Sequence, residues 1–377
     1  MNNLTDERFP VTEWDFDDLR LRLYRESDAD DVAAAGRDPL ARKYLLRLPD
    51  PYTTEDALEY IRDVAAGAWT SGRAQWAIAD AKTDRVLGGI GVPRIQPAFN
   101  SAEIGYVVAP WARGRNIASR ATAEVAEFLF RHGVARIELH IMVGNVASQR
   151  AAFKAGFTVD GKHRQAIPTR EGTQADKWVF SRVPGDPPGP VARAIPDLPD
   201  GRLTDGVVTL RRLGPEDVED HFAHRSLAEV WGRSVPPVEP DRRFTEQICE
   251  FGAAEQWLHG ANAFMSIRDA QTDAYAGDFG VHVQMGPPGE VMLSYALGRQ
   301  VRGRGFATRA VRLASAWAIA ELGARRVMAG TAADNVASQK VLERAGFTRE
   351  GVQRALLPGI NGTRVDNVCW SLLPEEL

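Results

Sequence analysis

The sequence predicts an α+β fold written twice, a mixed sheet flanked by helices in each half of the chain. Three observations carry that reading. The first half of the 377 residues repeats in the second, with Leu21-Arg22 recurring as Leu210-Arg211 at an offset of 189. Each half carries strand-like and helix-like patterns in one order. Between the halves lies Val183-Pro184-Gly185-Asp186-Pro187-Pro188-Gly189-Pro190, with further prolines at 196 and 199. Proline at this density cannot form helix and favours an extended spacer.

The repeat continues through Asp28 and Asp217, Gly88 and Gly277, Gly91 and Gly280, and Tyr106 and Tyr295. Past an insertion near the central helix the offset becomes 190. There Asn145-Val146-Ala147-Ser148-Gln149 recurs identically at 335–339, residues 155–158 recur at 345–348, Arg164 as Arg354 and Asp176 as Asp366. A period this long is a whole domain, not a solenoid repeat. The expected division is 1–183, a spacer at 184–203, and 204–377, with the two halves packed together.

In the first half, residues 21–24 open as a short strand. Thr53 or Thr54 caps a helix through Trp69, with Glu55 and Asp56 in its favourable first turn. Stretches 75–80, 86–92 and 102–108 alternate as an antiparallel meander. A helix from 117 to about 132 and a strand at 136–143 follow. A second helix runs over 145–155, where Gly156 supplies a left-handed cap. Strands near 162–167 and 177–182 close the unit, and the second half repeats the order.

Composition narrows the class. Apolar content of 44% and charged content of 25% are ordinary for a globular protein. A net charge of −4 gives no support for general nucleic-acid binding. Cys249 and Cys369 cannot make a disulfide framework and have no metal-spaced partner, so they read as small buried residues in a reducing compartment. His221 and His224 stand at i, i+3 on a helix without a third ligand, and no metal is expected. The polar, acidic start is no signal peptide, and no apolar run approaches the roughly 20 residues that span a bilayer. A cytoplasmic protein without a membrane partner is expected.

The chemistry centres on LSYALGRQVRGRGFATRAVRL, residues 293–313. A strand at 291–297 leads through Gln300-Val301-Arg302-Gly303-Arg304-Gly305 into an amphipathic helix from Phe306 to about Leu322. First-turn amides lack helical partners and the helix dipole favours negative charge, so the junction is an anion site. Gly303 and Gly305 remove the β-carbons that would hold a phosphate away, and Arg302 and Arg304 add charge. A nucleotide P-loop wants Lys-Ser/Thr where Phe306-Ala307 stands, and a dinucleotide loop wants a small residue where Thr308 stands.

Gln300 to Gly305 resembles instead the Q/R-x-x-G-x-G/A signature of the GNAT N-acetyltransferase superfamily, which cradles the pyrophosphate of coenzyme A. Asn335-Val336-Ala337-Ser338 and then Ala345-Gly346-Phe347-Thr348 follow, and this N-x-x-S…GF block is similar to the ribosomal-protein (Rim-type) branch. The resemblance covers roughly 20–182 and 208–374. It implies central strands that splay to admit a thioester arm, and acetyl-CoA, another acyl-CoA or a phosphopantetheine thioester as cofactor. It implies cofactor contacts at Leu297, Gln300, Val301, Arg302, Gly303, Arg304, Gly305, Phe306, Ala307, Thr308 and Asn335. Backbone amides near Leu297 would polarise the thioester carbonyl, and Ser338 would protonate the departing thiolate. A thiolate with a pKa near 8.5 needs little such help.

The halves differ where this matters. Trp111 and Asn116 replace Gln300 and Gly305 in the first half. Asn tolerates the left-handed turn, but its side chain occupies phosphate space, which points to weakened cofactor binding there. Glu103 resembles a strand carboxylate used as general base, which apolar burial would tune upward; it reads equally as a solvated residue. Its counterpart is Met292, with Glu290 two places earlier on the same strand face, beside Pro287-Pro288-Gly289, where it reads more readily as a loop residue. Segments 40–60 and 230–260 should line the acceptor pocket, with Trp231 and Trp257 capping it by resemblance.

The resulting expectation is an acyl-CoA-dependent N-acyltransferase acting on a primary amine of a small molecule or of a peptide or protein N-terminus, with its chemistry in residues 204–377. Two alternatives stand beside it. One is a biosynthetic transferase fed by a carrier-protein thioester or an aminoacyl-tRNA, the other a non-catalytic acyl-CoA sensor or scaffold.

Overall fold

The computed structural model describes residues 9–283 and 287–377. The first eight residues, part of the acidic start discussed above, lie outside the described residues. The chain divides into two compact units, one ending at Ala192 and the other beginning at Arg193.

The first unit holds β1 (Trp14–Phe16), β2 (Leu19–Arg22), β3 (Ala74–Asp80), β4 (Val86–Gln96), β5 (Ser101–Val108), β6 (Arg136–Met142), β7 (Thr158–Pro168) and β8 (Gln174–Arg182). They pair in the order β1-β2-β3-β4-β5-β6-β8-β7. The second holds β9 (Arg202–Thr204), β10 (Val208–Arg212), β11 (Asn262–Asp269), β12 (Tyr275–His282), β13 (Glu290–Leu297), β14 (Arg326–Ala332), β15 (Thr348–Pro358) and β16 (Arg364–Leu372). Their order is the same, strand for strand. Both sheets are mixed, because β5–β6 and β13–β14 run parallel and every other pairing is antiparallel. The α+β class and the duplication read from the sequence are both present.

Helices of the first unit are α1 (Ala29–Arg37), α2 (Pro39–Tyr44), α3 over residues 54–70, α4 (Ile117–Arg131) and α5 (Val146–Lys154). Those of the second are α6 (Val218–Arg225), α7 (Ala228–Trp231), α8 over residues 242–258, α9 (Phe306–Glu321) and α10 (Val336–Ala345). Thr53 caps α3 through a capping box with Asp56. Ile117, Ala121, Val125, Phe128 and Leu129 form the buried stripe of α4, and Phe306, Ala310, Val311, Ala314 and Trp317 that of α9. Each stripe joins its own unit's core.

The parallel strands do not stay together. β5 and β6 pair only from Ser101–Arg136 to Glu103–Glu138, after which β5 follows β4 as far as Val108 and β6 follows β8. In the second unit pairing stops at Leu293–Ala329, while β13 continues along β12 to Leu297. The repeated Gly88 and Gly277 sit under these free ends. A β-carbon on either would collide with the carbonyl oxygen of Val107 or Ala296. The glycines let the diverging strand lie close to its neighbour.

One substitution in the design is hidden in the core. In the first unit Arg22, on β2 and 1% exposed, bridges Asp28 at 2.8 Å and Asp84 at 3.0 Å. In the second, the corresponding Asp217 and Asp273 are bridged by Arg268 of β11, while Arg211, the counterpart of Arg22, stands 3.6 Å from each. The same carboxylate pair is thus bridged from adjacent strands.

Candidate active site

Each site residue follows from the junction of a strand end with a helix start. Leaving β13, the chain turns through Gly298, which donates to the Ala276 carbonyl, and a short 3₁₀ turn Arg299–Val301. Gly303 (φ 77°) and Gly305 (φ 79°) are left-handed, and a β-carbon at either would meet open space. α9 then begins at Phe306, so the amides of Phe306, Ala307 and Thr308 head the helix without helical partners. Bare backbone, open approach and dipole fit a pyrophosphate. Beside it lies an open groove of about 650 Å³ lined by Gly305, Thr308, Arg309, Arg312 and Arg344. Arg309 and Arg312 come from the first two turns of α9 and Arg344 from the last turn of α10, and Asp205, which also lines the groove, accepts from Arg309 at 2.7 Å.

The loop side chains mostly brace the turn. Arg302 donates from Nε and NH2 to the Leu297 carbonyl at 3.2 and 3.1 Å, tying the loop to the free end of β13. Val301 is buried in the core, and Arg299 pairs with Glu229. Gln300 points back to the Tyr275 carbonyl at 3.5 Å, and Arg304 lies over the Phe306 ring and 3.3 Å from Asp269.

Asn335 is the N-cap of α10, its Oδ1 accepting from the Ser338 amide at 3.3 Å. Ser338 Oγ lies 2.8 Å from the hydroxyl of Tyr295, on the free part of β13. Burial pushes the Tyr295 phenol up to about 12, so it keeps its proton at neutral pH. Tyr106 and Ser148 repeat this pair at 2.8 Å in the first unit, with the phenol again near 12. The sequence alone assigns Tyr295 no role; its recurrence at the position of Tyr106 is the signal that points to it.

The two candidate bases are differently placed. Glu290 is the first residue of β13, not part of a loop, and lies 3.6 Å from Arg326 at the end where the parallel strands are still paired. Glu103 stands among charges, with Arg94 at 3.8 Å and His140 Nδ1 at 3.4 Å. His140 continues to Glu138 at 3.0 Å and Lys177 at 3.1 Å. Trp257 is a core residue, 2% exposed, packed on Trp317 and bonded to the Pro196 carbonyl, and does not cap a pocket.

In the first unit Asn116 adopts the same left-handed conformation (φ 55°), so the turn persists. Its Oδ1 accepts from Lys154 Nζ at 2.7 Å, and Arg113 and Arg115 pair with Asp38 and Asp18. The gap between β5 and β6 opens into a cavity of about 530 Å³ that reaches Tyr106, His140, Ser148 and residues 44–48. Among the described residues no group of three or more His, Cys, Asp or Glu has metal-holding geometry, and no helix is long and apolar enough to cross a membrane.

A mixed sheet parted beside a turn into a helix, and repeated in the second unit, is the architecture of an acetyltransferase. The acetyltransferase (GNAT) domain matches this chain at residues 18–158 and again at 208–348, and the chain belongs to that family of acetyltransferases. It is similar to the uncharacterized N-acetyltransferase YoaA of Bacillus subtilis, 31% identical over 179 residues that make 46% of this chain and 97% of the relative. It is 32% identical to the uncharacterized N-acetyltransferase p20 of Bacillus licheniformis, over 45% of this chain and 94% of the relative. Among solved structures, Mycobacterium smegmatis RimJ in complex with CoA-disulfide aligns at 22% identity and a TM-score of 0.41, covering 47% of this chain and 86% of that one.

Proposed function

We propose that the second unit transfers an acetyl group from acetyl-CoA to a primary amine of a small molecule or of a peptide or protein N-terminus. The observation that carries this is the conjunction at the free end of β13. There the left-handed Gly303 and Gly305 expose helix-start amides, and the Tyr295–Ser338 hydroxyl pair faces the gap that β14 leaves. Gly303, Gly305 and the amides of residues 306–308 would hold the pyrophosphate, with the arginine-lined groove beside them. When bound, the thioester supplies an activated acyl carbon. Ser338 gives a proton toward the departing sulfur and recovers one from the acylated nitrogen, while Tyr295, still protonated, holds the serine oxygen in place. The backbone at Leu297, braced by Arg302, orients the acyl oxygen.

The intact loop from Gln300 to Gly305 favours a phosphopantetheine donor over an aminoacyl-tRNA. Unit assignment follows from the contrast at one position: Gly305 is bare, whereas Asn116 is tied to Lys154. Titration calorimetry of the full chain with acetyl-CoA should return one principal site, lost on blocking the second loop. Thiol release with a panel of primary amines should follow. Two equal sites would overturn the assignment to the second unit, and no thiol with any amine would overturn the reaction.

A further inference from the structure

The cavity of the first unit is lined in part by Val32, Ala35, Gly36, Val86 and Gly89. At the offset of 189 the second unit carries His221, His224, Arg225, Tyr275 and Asp278 at these five positions, all of them polar. The exchange is concerted. A side chain on Gly89 would collide with the Tyr24 hydroxyl, and where Tyr24 stands in the first unit the second has Leu213, leaving room for the Asp278 carboxylate. The cluster sits at the reacting end of the sheet, since Asp278 pairs across the strands with Ala296 on the free part of β13.

Its geometry is unfinished. Asp278 Oδ2 is the common focus of Arg225 NH1 at 3.6 Å, His224 Nε2 at 3.8 Å and His221 Nδ1 at 3.9 Å. All three are too long for direct hydrogen bonds. Among the described residues neither Asp278 Oδ2 nor His224 Nε2 has a hydrogen-bond partner, although His224 is only 6% exposed. His221 is committed elsewhere, its Nδ1 lying 3.0 Å from the Tyr275 hydroxyl. Two buried polar atoms left open toward one point are costly unless something polar bridges them.

We propose that His224 and Asp278 form the acceptor-amine site of the second unit, with Asp278 holding the incoming ammonium and His224 taking its proton. This rests on the acyl-transfer reading above and supplies the base that Glu290, tied to Arg326, does not. A primary ammonium presents three N–H donors, enough to engage a carboxylate and an imidazole together. Burial holds both imidazoles below the usual histidine range, which keeps His224 neutral and able to accept at neutral pH. The groups that face His224 act in both directions. Asp278 and the Ala296 backbone favour its charged form, while Arg225 from α6 and Arg302 from the loop oppose it. His221 feels Asp278 and Asp217 against Arg225 and His224. In the step itself an ammonium N–H bond breaks, the electron pair stays on nitrogen, and the proton passes to His224 Nε2 and then to solvent. The neutral amine is left to attack.

The test uses the full chain, acetyl-CoA and two nucleophiles. Alaninamide is largely an ammonium at neutral pH, and hydroxylamine is already neutral. His224→Gln should lower kcat/KM with alaninamide by about 100-fold, the ordinary worth of a positioned base. It should leave the hydroxylamine rate within about threefold, and leave the thermal shift by acetyl-CoA unchanged. On the unmodified protein, NMR should show the His224 imidazole titrating below the ordinary histidine range and moving when alaninamide is added. In Asp278→Asn it should titrate lower still, because the carboxylate that favours its charge is gone. Equal losses with both nucleophiles, an unchanged alaninamide rate, or an imidazole indifferent to alaninamide would overturn the proposal. Thiol released by the unmodified protein with hydroxylamine but not alaninamide would overturn it and leave acyl transfer standing. No thiol with either would overturn both.

Discussion

Gly305 and Asn116 occupy one turn in two copies, and that makes the cradle testable at a single atom position. Gly305→Asn places a side chain where a phosphate oxygen would approach. It should displace one or two charge-assisted amide contacts of about 1.5–3 kcal/mol each. Acetyl-CoA should then bind at least about tenfold more weakly in calorimetry. The melting temperature should barely move, because Asn116 already holds φ 55° and a β-carbon at 305 meets open space. An unchanged dissociation constant in the folded variant would mean that this loop does not hold the donor. Which residues line the turn was legible in the sequence, since all lie within a short run whose spacing the helix start dictates. The contacts of Ser338 with Tyr295 and the approach of His224 to Asp278 were not. They join residues 43 and 54 positions apart, and only the folded sheet sets those distances.

At the scale of elements, hydrophobic period and turn chemistry located the central strands and helices of each sheet to within a few residues. They fell short elsewhere, beginning with β1, which precedes the first strand that the sequence suggests. β7 and β8 run longer than their alternation suggested, because bulges interrupt the pattern between Val159 and Gly161 and between His163 and Ile167. α1 and α2 bury faces made of small residues, Ala29, Ala33, Gly36 and Ala41, which give a weaker apolar signal in the sequence than the large side chains of the other helices. The close run of the free end of β13 along β12 depends on the bare surface of Gly277. Gly277→Ala would drive a methyl into the Ala296 carbonyl and push the free end of β13 off β12. A loss of about 1–3 kcal/mol is expected from the overpacking. Urea denaturation should show that loss together with weaker acetyl-CoA binding. Full stability in that variant would show that the strands have room to spare.

For the whole molecule, the halves share a topology but differ in their buried histidines. Burial holds His221, His224, His259 and His282, all in the second unit, below their ordinary value. An unfolded chain takes up these protons near the ordinary pKa of about 6.5. The stability they contribute is therefore complete above about pH 6.5 and is lost as pH falls toward the folded values. Pulsed hydrogen exchange of the intact chain in urea, labelled at one fixed pH, should show the second unit opening at lower urea after incubation at about pH 5.5 than at about 7.5. Equal midpoints would contradict this. The bridging arginines give the duplication a further consequence, in fault tolerance. Removing Arg22 strips Asp28 of its ion partner, a loss of about 3–5 kcal/mol for a buried pair broken on one side. Removing Arg268 leaves Arg211 already 3.6 Å from both carboxylates, so Arg268→Ala should cost measurably less than Arg22→Ala in thermal denaturation. The second unit carries an understudy for its most buried charge, and the first performs without one.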